Sequence, residues 1–210
     1  KYAEIAEAVK ADVLCVGTEL TTMEDYEEEW LRVIETAREK FSGNITYALN
    51  WWARGDFYSR VLKLAWLKEL DYVGVDAYFP ITSKERPGAE EAVEGWYLNP
   101  EGRDLVAELE ILHETTGRPI LFTEIGYRSI ADALSAPWDW QREGEYDEAT
   151  QAVGLHACFE VFKDKPWVSG IIVWAWDIGY EPRYGDTGYN VYSKLAHGVV
   201  AEWFRLLGRK

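Results

Sequence analysis

The sequence has few of the residues that build metal, redox and nucleophile sites. Its 210 residues include two cysteines, Cys15 and Cys158, and three histidines that stand apart from one another. We interpret the cysteines as two buried free thiols rather than a disulfide. No Cys/His spacing indicates zinc, no glycine-rich loop indicates bound phosphate, and no G-x-S-x-G segment indicates a serine nucleophile. The sequence therefore predicts neither a metal nor a cofactor.

Long apolar runs and an excess of positive charge are also missing. The longest apolar runs fall far short of the roughly 18–20 residues that span a bilayer, and residues 1–10 form a charged amphipathic pattern rather than a signal peptide. The net charge of −15 argues against nucleic acid and anionic membranes as partners. We therefore expect a soluble protein, with one domain over residues 1–210, whose compartment the sequence leaves open.

Aromatic residues are abundant, at 15% of the chain, with 11 tryptophans and 13 tyrosines. A tryptophan-rich core with scattered surface rings accounts for part of this content. Many rings nevertheless stand beside polar residues, as in Asn50-Trp51-Trp52 and Trp138-Asp139-Trp140. Flat apolar faces beside hydrogen-bonding groups suit a sugar, whose C–H faces pack on rings while its hydroxyls need polar partners. The composition therefore predicts an oligosaccharide or polysaccharide ligand.

Short apolar runs alternate with longer amphipathic stretches. The runs predict five strands, at residues 12–16, 45–49, 72–77, 120–123 and 168–174. The longer stretches predict helices at residues 2–11, 21–41, 57–70, 99–117, 147–163 and 194–207, the second capped by Thr21 with Glu24 and the fourth by Asn99 before Pro100. Residues 81–98 and 126–145 are predicted connections. Strands that are apolar throughout are typical of a parallel sheet, in either a (β/α)8 barrel or a doubly wound fold.

Polar and aromatic side chains follow the predicted strands at their carboxyl ends. In strand order these are Glu19, Asn50 with Trp51, Tyr78, Glu124, and Trp174 with Trp176. Such ends share one face of a parallel α/β fold, and two carboxylates there can hydrolyse a glycoside. A separation of about 5–5.5 Å would indicate a retaining mechanism and about 6.5–9.5 Å an inverting one. The alternatives are structural, with Glu19 accepting backbone N–H bonds and Glu124 paired with Arg128.

The order of six motifs resembles Glycoside hydrolase family 113, whose members are retaining (β/α)8 barrels that include endo-β-1,4-mannanases. The motifs are VGTEL at 16–20, YALNW at 47–51, DYVGVDAYFP at 71–80, LFTEIGYRS at 121–129, PWDW at 137–140 and GIIVWAW at 170–176. The resemblance implies that Glu19, after the fourth barrel strand, is the acid/base and that Glu124, after the seventh, is the nucleophile. It further implies that Tyr78 donates a hydrogen bond to the nucleophile and that Trp174 floors the sugar site.

One position departs from the wider clan of that family. Thr18 precedes the acid/base where the clan has an asparagine that holds the sugar 2-hydroxyl, and Asn50 is a candidate for that task. Further candidates for contact with substrate are Trp51, Tyr127, Arg128, Trp138 and Trp176. Spacing alone leaves open whether the substrate is mannan, glucan or xylan, and whether cleavage is endo or exo.

The resemblance also implies that the barrel is incomplete. A full barrel has eight strands over typically about 250 residues, whereas the sequence predicts strands 4–8 only, as about five βα units. We therefore expect open sheet edges at residues 13–16 and 171–174, which self-association would cover. The leading hypothesis is a retaining β-glycosidase acting on mannan. The alternatives are a carbohydrate-binding or inactive barrel fragment that needs missing strands or a partner, and an unrelated hydrolase on a doubly wound sheet.

Overall fold

The computed structural model describes residues 1–177, 179, 181 and 183–208, and its strands form one five-stranded sheet. The strands are β1 Val13–Thr18, β2 Asn44–Asn50, β3 Tyr72–Asp76, β4 Ile120–Ile125 and β5 Val168–Val173. Each strand pairs with its neighbours in the chain, in the order β1-β2-β3-β4-β5. A doubly wound sheet reverses its strand order at a switch point. This sheet has no reversal, so the doubly wound alternative is wrong.

Burial along the strands reflects their position in the sheet. The middle of β2 is buried at five consecutive residues, and four of the five residues of β3 are buried. Continuous burial of this kind requires cover on both faces, as the apolar runs predicted. β1 and β5, the outer strands of the order, have only half-buried and exposed residues. The sheet therefore has its outer strands at the two predicted edges.

Helices separate the strands, and most lie where the amphipathic stretches predict them. The bounds are α1 Tyr2–Val9, α2 Glu27–Arg38, α3 Asp56–Ser59, α4 Ala89–Tyr97, α5 Leu105–Thr116, α6 Glu148–Phe162 and α7 Leu195–Leu207. α6 begins at a true cap, because the Asp147 side chain accepts a hydrogen bond from the Ala149 N–H. None of the described helices is long and apolar enough to cross a bilayer.

The helix predicted over 57–70 is wrong beyond its first turn. α3 ends at Ser59, and two 3-10 turns follow, Val61–Lys63 and Ala65–Glu69. Leu64 between the turns has a ψ of 79°, outside the helical region. Trp66 and Leu67 are almost completely buried, and the Trp66 indole N–H donates to the Glu24 carbonyl. The tertiary contacts of the buried Trp66 indole are therefore favoured over a regular helix in this segment.

The predicted capping box at Thr21 and Glu24 is also wrong. Thr21–Met23 is a single 3-10 turn without a side-chain cap, and the helix behind it begins only at Glu27. Glu24 is completely buried. A capping glutamate needs an exposed helix start, whereas this carboxylate has partners inside the protein.

The helix predicted after Asn99 begins later, and the segment before it contains a helix that was missed. α4 occupies Ala89–Tyr97, within the predicted connection, and α5 begins at Leu105. The Asn99 side-chain oxygen accepts hydrogen bonds from the backbone N–H groups of Glu101 and Arg103, both at 3.0 Å. Asparagine that bonds to nearby backbone in this way favours a turn over a helix.

Contacts divide the chain into two units. The first comprises Lys1–Asp76, Glu108–Thr123 and Trp167–Ile171, and the second comprises Ala77–Ala107, Glu124–Pro166 and Ile172–Lys210. The first unit therefore contains β1 to β3 and the starts of β4 and β5. The second contains the chain that follows β3 and the ends of β4 and β5. One domain over residues 1–210 stays a prediction, and residues 178, 180, 182, 209 and 210 lie outside the described part.

The cysteines agree with the sequence in one respect and differ in another. Both are free thiols, as predicted. Cys158 is buried, but Cys15 is exposed because it lies on the outer strand β1. The prediction of two buried thiols is therefore wrong for Cys15.

Candidate active site

In the second unit, Glu124 is held by a tyrosine at the carboxyl end of the sheet. Glu124 is half-buried near the end of β4, and Tyr78, just past β3, is buried. The Tyr78 hydroxyl donates a hydrogen bond of 2.7 Å to Glu124 Oε2. The Ala77 N–H donates to the Glu124 carbonyl at 2.7 Å, which continues the pairing past the end of β3. The hydrogen bond implied for Tyr78 is present, and the nucleophile role of Glu124 stays a prediction.

Gly126 allows the chain after Glu124 to contact the chain after β5. The Trp174 N–H donates to the Ile125 carbonyl at 2.8 Å. A Cβ added at Gly126 would lie 2.2 Å from the Trp174 carbonyl oxygen, far inside contact distance. The Trp174 ring remains 48% exposed, and the peptide bond between Trp174 and Ala175 is cis. The close approach therefore fixes the start of an exposed tryptophan segment beside the Glu124 segment.

Residues 189–191 form backbone hydrogen bonds with the tryptophan segment, residues 174–176. The Ala175 N–H donates to the Tyr189 carbonyl at 3.4 Å, and the Val191 N–H donates to the Ala175 carbonyl at 3.0 Å. The completely buried Gln151 joins both segments, since its amide donates to the Tyr127 carbonyl at 2.9 Å and to the Tyr189 carbonyl at 3.0 Å. Gln151 was not predicted, because the sequence around a polar helix residue does not indicate which distant carbonyl groups it will contact.

Tyr189 is a second residue that the sequence analysis missed. Its ring lies edge-on to Tyr78, with 6.1 Å between centroids, and its hydroxyl donates to the Pro137 carbonyl. Burial and, to a lesser extent, the Asp139 carboxylate raise the pKa of Tyr189 to about 12, although the Arg128 charge acts in the opposite direction. Tyr189 therefore stays a neutral phenol at ordinary pH and supports the Tyr78 ring.

Arg128 does not pair with Glu124 in the part of the chain that the structure describes. Its guanidinium donates to the Thr187 carbonyl and hydroxyl, each at 3.2 Å, and to the Arg142 carbonyl. The alternative in which Glu124 is a salt-bridge partner of Arg128 is therefore wrong. Arg128 instead joins the loops that contain residues 142 and 187.

The other predicted aromatic contacts differ in exposure. Trp138 is 40% exposed, and Trp176 is half exposed and packs against Tyr192 and His197, at 5.2 and 4.8 Å between centroids. Tyr127 is completely buried. A Cβ added at Gly154 would lie 2.6 Å from the Tyr127 ring, so the ring packs on α6. A ring without exposed surface cannot contact a sugar, and we correct the prediction for Tyr127 to a packing role.

In the first unit, Glu19 directly follows β1 and is exposed. Its backbone is left-handed, with a φ of 51°, which is uncommon for a residue with a side chain. The Glu19 N–H donates to the Ala48 carbonyl of β2 at 2.9 Å. The next N–H, that of Leu20, donates to the Tyr47 hydroxyl at 2.9 Å.

The Tyr47 hydroxyl in turn donates to Glu24 Oε1 at 3.1 Å, and the other Glu24 oxygen is paired with Arg60. Burial raises the pKa of Glu24, while the Arg60 charge and the Tyr47 hydrogen bond lower it to a smaller extent. Burial, and then the Glu24 charge, raise the pKa of Tyr47. Tyr47 is therefore a neutral phenol and a hydrogen-bond donor to this carboxylate.

Asn50 and Trp51 are at the carboxyl end of β2, also in the first unit. Asn50 ends β2 opposite Asp76, and its Oδ1 is buried without a hydrogen-bond partner among the described residues. Trp51 is half-buried. Asp76 is completely buried and accepts a hydrogen bond of 2.6 Å from Thr123. The amide of Asn50 therefore has hydrogen-bonding capacity at a strand end.

The candidate residues form two groups, one in each unit. The first unit contains Glu19, Asn50 and Trp51, and the second contains Glu124, Tyr78, Arg128, Trp138, Trp174 and Trp176. Over residues 1–177, 179, 181 and 183–208, no group of three histidine, cysteine, aspartate or glutamate side chains could hold a metal ion. The first group presents a carboxylate, an amide and an indole, and the second presents a carboxylate, a phenol, a guanidinium and three indoles.

Comparisons with known proteins agree with the motifs. The family model described as Glycoside Hydrolase Family 113 matches residues 1–194. No curated protein sequence matches the chain significantly. The solved structure of the GH113 β-mannanase of Alicyclobacillus acidocaldarius, in complex with ManMIm, is 28% identical, with a TM-score of 0.80 over 98% of this chain. The chain spans 59% of the length of that protein.

Two further solved structures are similar in fold. A GH113 β-1,4-mannanase is 22% identical, with a TM-score of 0.79 over 97% of this chain and 59% of its own. The β-D-glucuronidase of Dictyoglomus thermophilum is 18% identical, with a TM-score of 0.59 over 89% of this chain and 30% of its own. The barrel-type fold and the resemblance drawn from the six motifs are confirmed. The chain belongs to Glycoside Hydrolase Family 113.

Proposed function

We propose that this chain carries the catalytic residues of a retaining glycosidase that cleaves β-1,4-linked polysaccharide, most of all mannan. The observation that carries the proposal is the hydrogen bond of 2.7 Å from Tyr78 to Glu124 Oε2 at the end of β4, in a chain of this family. The Tyr78 hydroxyl holds one carboxylate oxygen and so fixes the orientation of the Glu124 side chain. Glu124 is therefore suited to act as a nucleophile.

The proposed reaction is a double displacement. In the first step Glu124 Oε1 attacks the anomeric carbon, because Oε2 is held by Tyr78, and the bond to the leaving sugar oxygen breaks. Glu19 gives its proton to that oxygen. In the second step Glu19 takes a proton from water, whose oxygen attacks the same carbon and releases Glu124. Both steps require the two carboxylates to act on one sugar.

The choice of mannan rests on the relatives. The structures most informative here are those of proteins named β-mannanase and β-1,4-mannanase. The half-exposed rings of Trp174, Trp176 and Trp138 offer apolar faces on which the C–H faces of a sugar would pack. We propose Asn50 as the group that holds the sugar 2-hydroxyl, because it is a half-buried amide at the carboxyl end of β2.

The test combines three substrates with three variants. Mannan, cellulose and xylan oligosaccharides are each incubated with the protein, and new reducing ends are counted. We expect mannan to be cleaved fastest, Glu124→Gln to abolish turnover while retaining sugar binding, and Glu19→Gln to lower turnover by about 10²–10⁴-fold. Glu202→Gln, at an exposed position of α7, is the matched control and should leave turnover unchanged. Turnover that survives Glu124→Gln would contradict the assigned nucleophile.

A second candidate function is carbohydrate binding without turnover. Two observations favour it: the sheet has five strands, and the chain spans 59% of the β-mannanase from Alicyclobacillus acidocaldarius. It predicts that mannan oligosaccharides quench tryptophan fluorescence while no reducing ends appear with any of the three substrates. The same samples therefore distinguish the two functions.

Self-association at the outer strands is a separate proposal about partners. β1 and β5 are the ends of the strand order, and an outer strand exposes backbone groups that can pair with another chain. Light scattering coupled to size-exclusion chromatography measures the mass directly. A mass of 24.2 kDa, that of one chain, would contradict self-association.

A further inference from the structure

The backbone at Glu19 is held in a conformation that it would not adopt alone. Its φ of 51° lies in the left-handed region, where a residue other than glycine is strained and needs support from its surroundings. Two hydrogen bonds give that support, one from the Glu19 N–H to Ala48 and one from the Leu20 N–H to Tyr47. The first belongs to the sheet, and the second comes from a side chain.

We infer that Tyr47 is a positioning residue for Glu19 and that Glu24 sets the direction of the Tyr47 hydroxyl. A hydroxyl has one proton to donate and lone pairs to accept with. Glu24 is completely buried, with one oxygen against Tyr47 and the other against Arg60. An ionised carboxylate can only accept hydrogen bonds, so the Tyr47 hydroxyl donates its proton to Glu24. The lone pairs of that hydroxyl then face the Leu20 N–H and accept from it. Glu24 thereby makes Tyr47 an acceptor for the backbone after Glu19.

The Tyr47 ring cannot turn away from this arrangement. It is completely buried, with Trp30 and Trp66 edge-on to it at 4.8 and 5.1 Å, and these two indoles stack on each other at 4.9 Å. We call Trp30, Tyr47 and Trp66 the aromatic cluster. Its two indole N–H groups donate to the Met23 and Glu24 carbonyls, both at 2.9 Å. The cluster therefore fixes the Glu24 backbone as well as the ring.

The target of this network distinguishes it from ordinary core packing. The network runs from Arg60 through Glu24 and Tyr47 to the first N–H after Glu19, which is a residue at a strand end and not in the core. An ordinary buried tyrosine would need only one satisfied hydrogen bond. The catalytic meaning rests on the proposed acid/base role of Glu19, whereas the control of the Glu19 backbone does not.

The first experiment measures backbone geometry and needs no activity. Amide hydrogen exchange and NMR couplings are recorded for Glu19 and Leu20 in the unmodified protein, in Tyr47→Phe and in Tyr58→Phe, the matched control whose ring is 62% exposed in the same unit. We expect the Leu20 amide to be protected in the unmodified protein and the control. Protection should fall by about 2–12-fold in Tyr47→Phe, the range that one ordinary hydrogen bond supplies.

The unmodified protein is informative even if Tyr47→Phe does not fold. A Leu20 amide that exchanges as fast as an unprotected amide, or a Glu19 coupling that excludes the left-handed region, would overturn the inference. Unchanged protection in a folded Tyr47→Phe would overturn it as well.

The second experiment measures whether the geometry serves acid catalysis. Mannan oligosaccharides have a poor leaving group that needs a proton, whereas a dinitrophenyl mannoside has a leaving group that does not. We expect Tyr47→Phe to lower kcat/KM by about tenfold or more on the oligosaccharide and to change kcat/KM little on the dinitrophenyl substrate, because kcat/KM reports the first displacement, in which only the poor leaving group needs the proton of Glu19. A merely structural role would lower both rates equally, and that result would contradict positioning of Glu19.

The two experiments also separate this inference from the proposed function. If the unmodified protein cleaves neither substrate, the proposed function fails, while hydrogen exchange at Leu20 still decides whether Tyr47 holds the Glu19 backbone. If both substrates are cleaved but Tyr47→Phe has no selective effect, the proposed function stands and the inference fails.

Discussion

Replacing Gly126 by alanine tests whether the close approach between the Glu124 and Trp174 segments is required. The added Cβ would lie 2.2 Å from the Trp174 carbonyl oxygen, against roughly 3.5 Å for an ordinary contact. The neighbour is a backbone atom, so no side-chain rotation can relieve the clash. The two segments must therefore move apart by about an ångström, against the hydrogen bond of 2.8 Å from the Trp174 N–H to Ile125.

The expected magnitude follows from similar overpacking. Inserting a methyl group into tightly packed surroundings costs about 1–3 kcal/mol, and a chain of this size loses about 2–4 °C of Tm per kcal/mol. Gly126→Ala should therefore lower Tm by about 2–12 °C. Gly198→Ala is the matched control, because Gly198 is exposed within α7 with nothing within 4 Å of an added Cβ. A helical alanine should raise Tm by about 1–4 °C.

Thermal unfolding of both variants, followed by circular dichroism, checks these values. The maximum of tryptophan emission at 25 °C, to which Trp174 contributes as one of 11 tryptophans, should shift in Gly126→Ala but not in Gly198→Ala. If Gly126→Ala melts at or above the temperature of the unmodified protein, the close approach is not a constraint, and the proposed reason for glycine at this position is wrong.

Three further predictions concern other contacts. Tyr78→Phe removes a hydrogen bond of 2.7 Å to a carboxylate. Such a bond is worth about 1.5–3 kcal/mol, so kcat/KM on mannan should fall about 10–150-fold. An equal loss in Glu124→Gln and in the double variant would confirm that both residues act at one step. Asp147→Ala removes the cap of α6 and should lower the free energy of unfolding in urea by about 0.5–2 kcal/mol, whereas no loss would show that the cap is not used. Because burial raises the pKa of Glu24, its contribution to stability is present below the ordinary pKa of about 4.3 and lost as pH rises through the folded value. The unfolding free energy of the unmodified protein relative to Glu24→Gln should therefore fall as the pH rises above about 4.3, and a rise would contradict the assigned cause.

The strands were predictable and several helix boundaries were not, for a physical reason. β2 and β3 are buried in the middle of the sheet, so apolar runs mark them directly. The segment over 57–70 has helical periodicity, but the Trp66 indole binds the Glu24 carbonyl far away in sequence, and the regular helix ends at Ser59. A partner 42 residues away leaves no trace in local spacing.

The candidate residues at strand ends were predictable. The prediction was wrong where it depended on the direction in which a side chain points. Glu124 and Tyr78 follow strands, and their hydrogen bond is present. Tyr127 was expected near the carboxylate because it is close in sequence. Tyr127 lies past the end of β4, where the alternation of a strand no longer tells which side a residue faces. Its ring is buried against α6.

Each candidate carboxylate residue has a tyrosine from a neighbouring strand segment, and the two tyrosines form hydrogen bonds with different groups of that residue or its neighbour. Tyr78, after β3, donates directly to the carboxylate of Glu124 on β4. Tyr47, on β2, accepts from the backbone N–H that follows Glu19 at the end of β1. A nucleophile attacks with one oxygen, and a phenol proton on the other oxygen fixes the orientation of the carboxylate. An acid/base must gain and lose a proton in every cycle, and a phenol bound to the adjacent backbone fixes its position through the main chain. The difference between the two hydrogen bonds therefore matches the different chemistry proposed for Glu124 and Glu19.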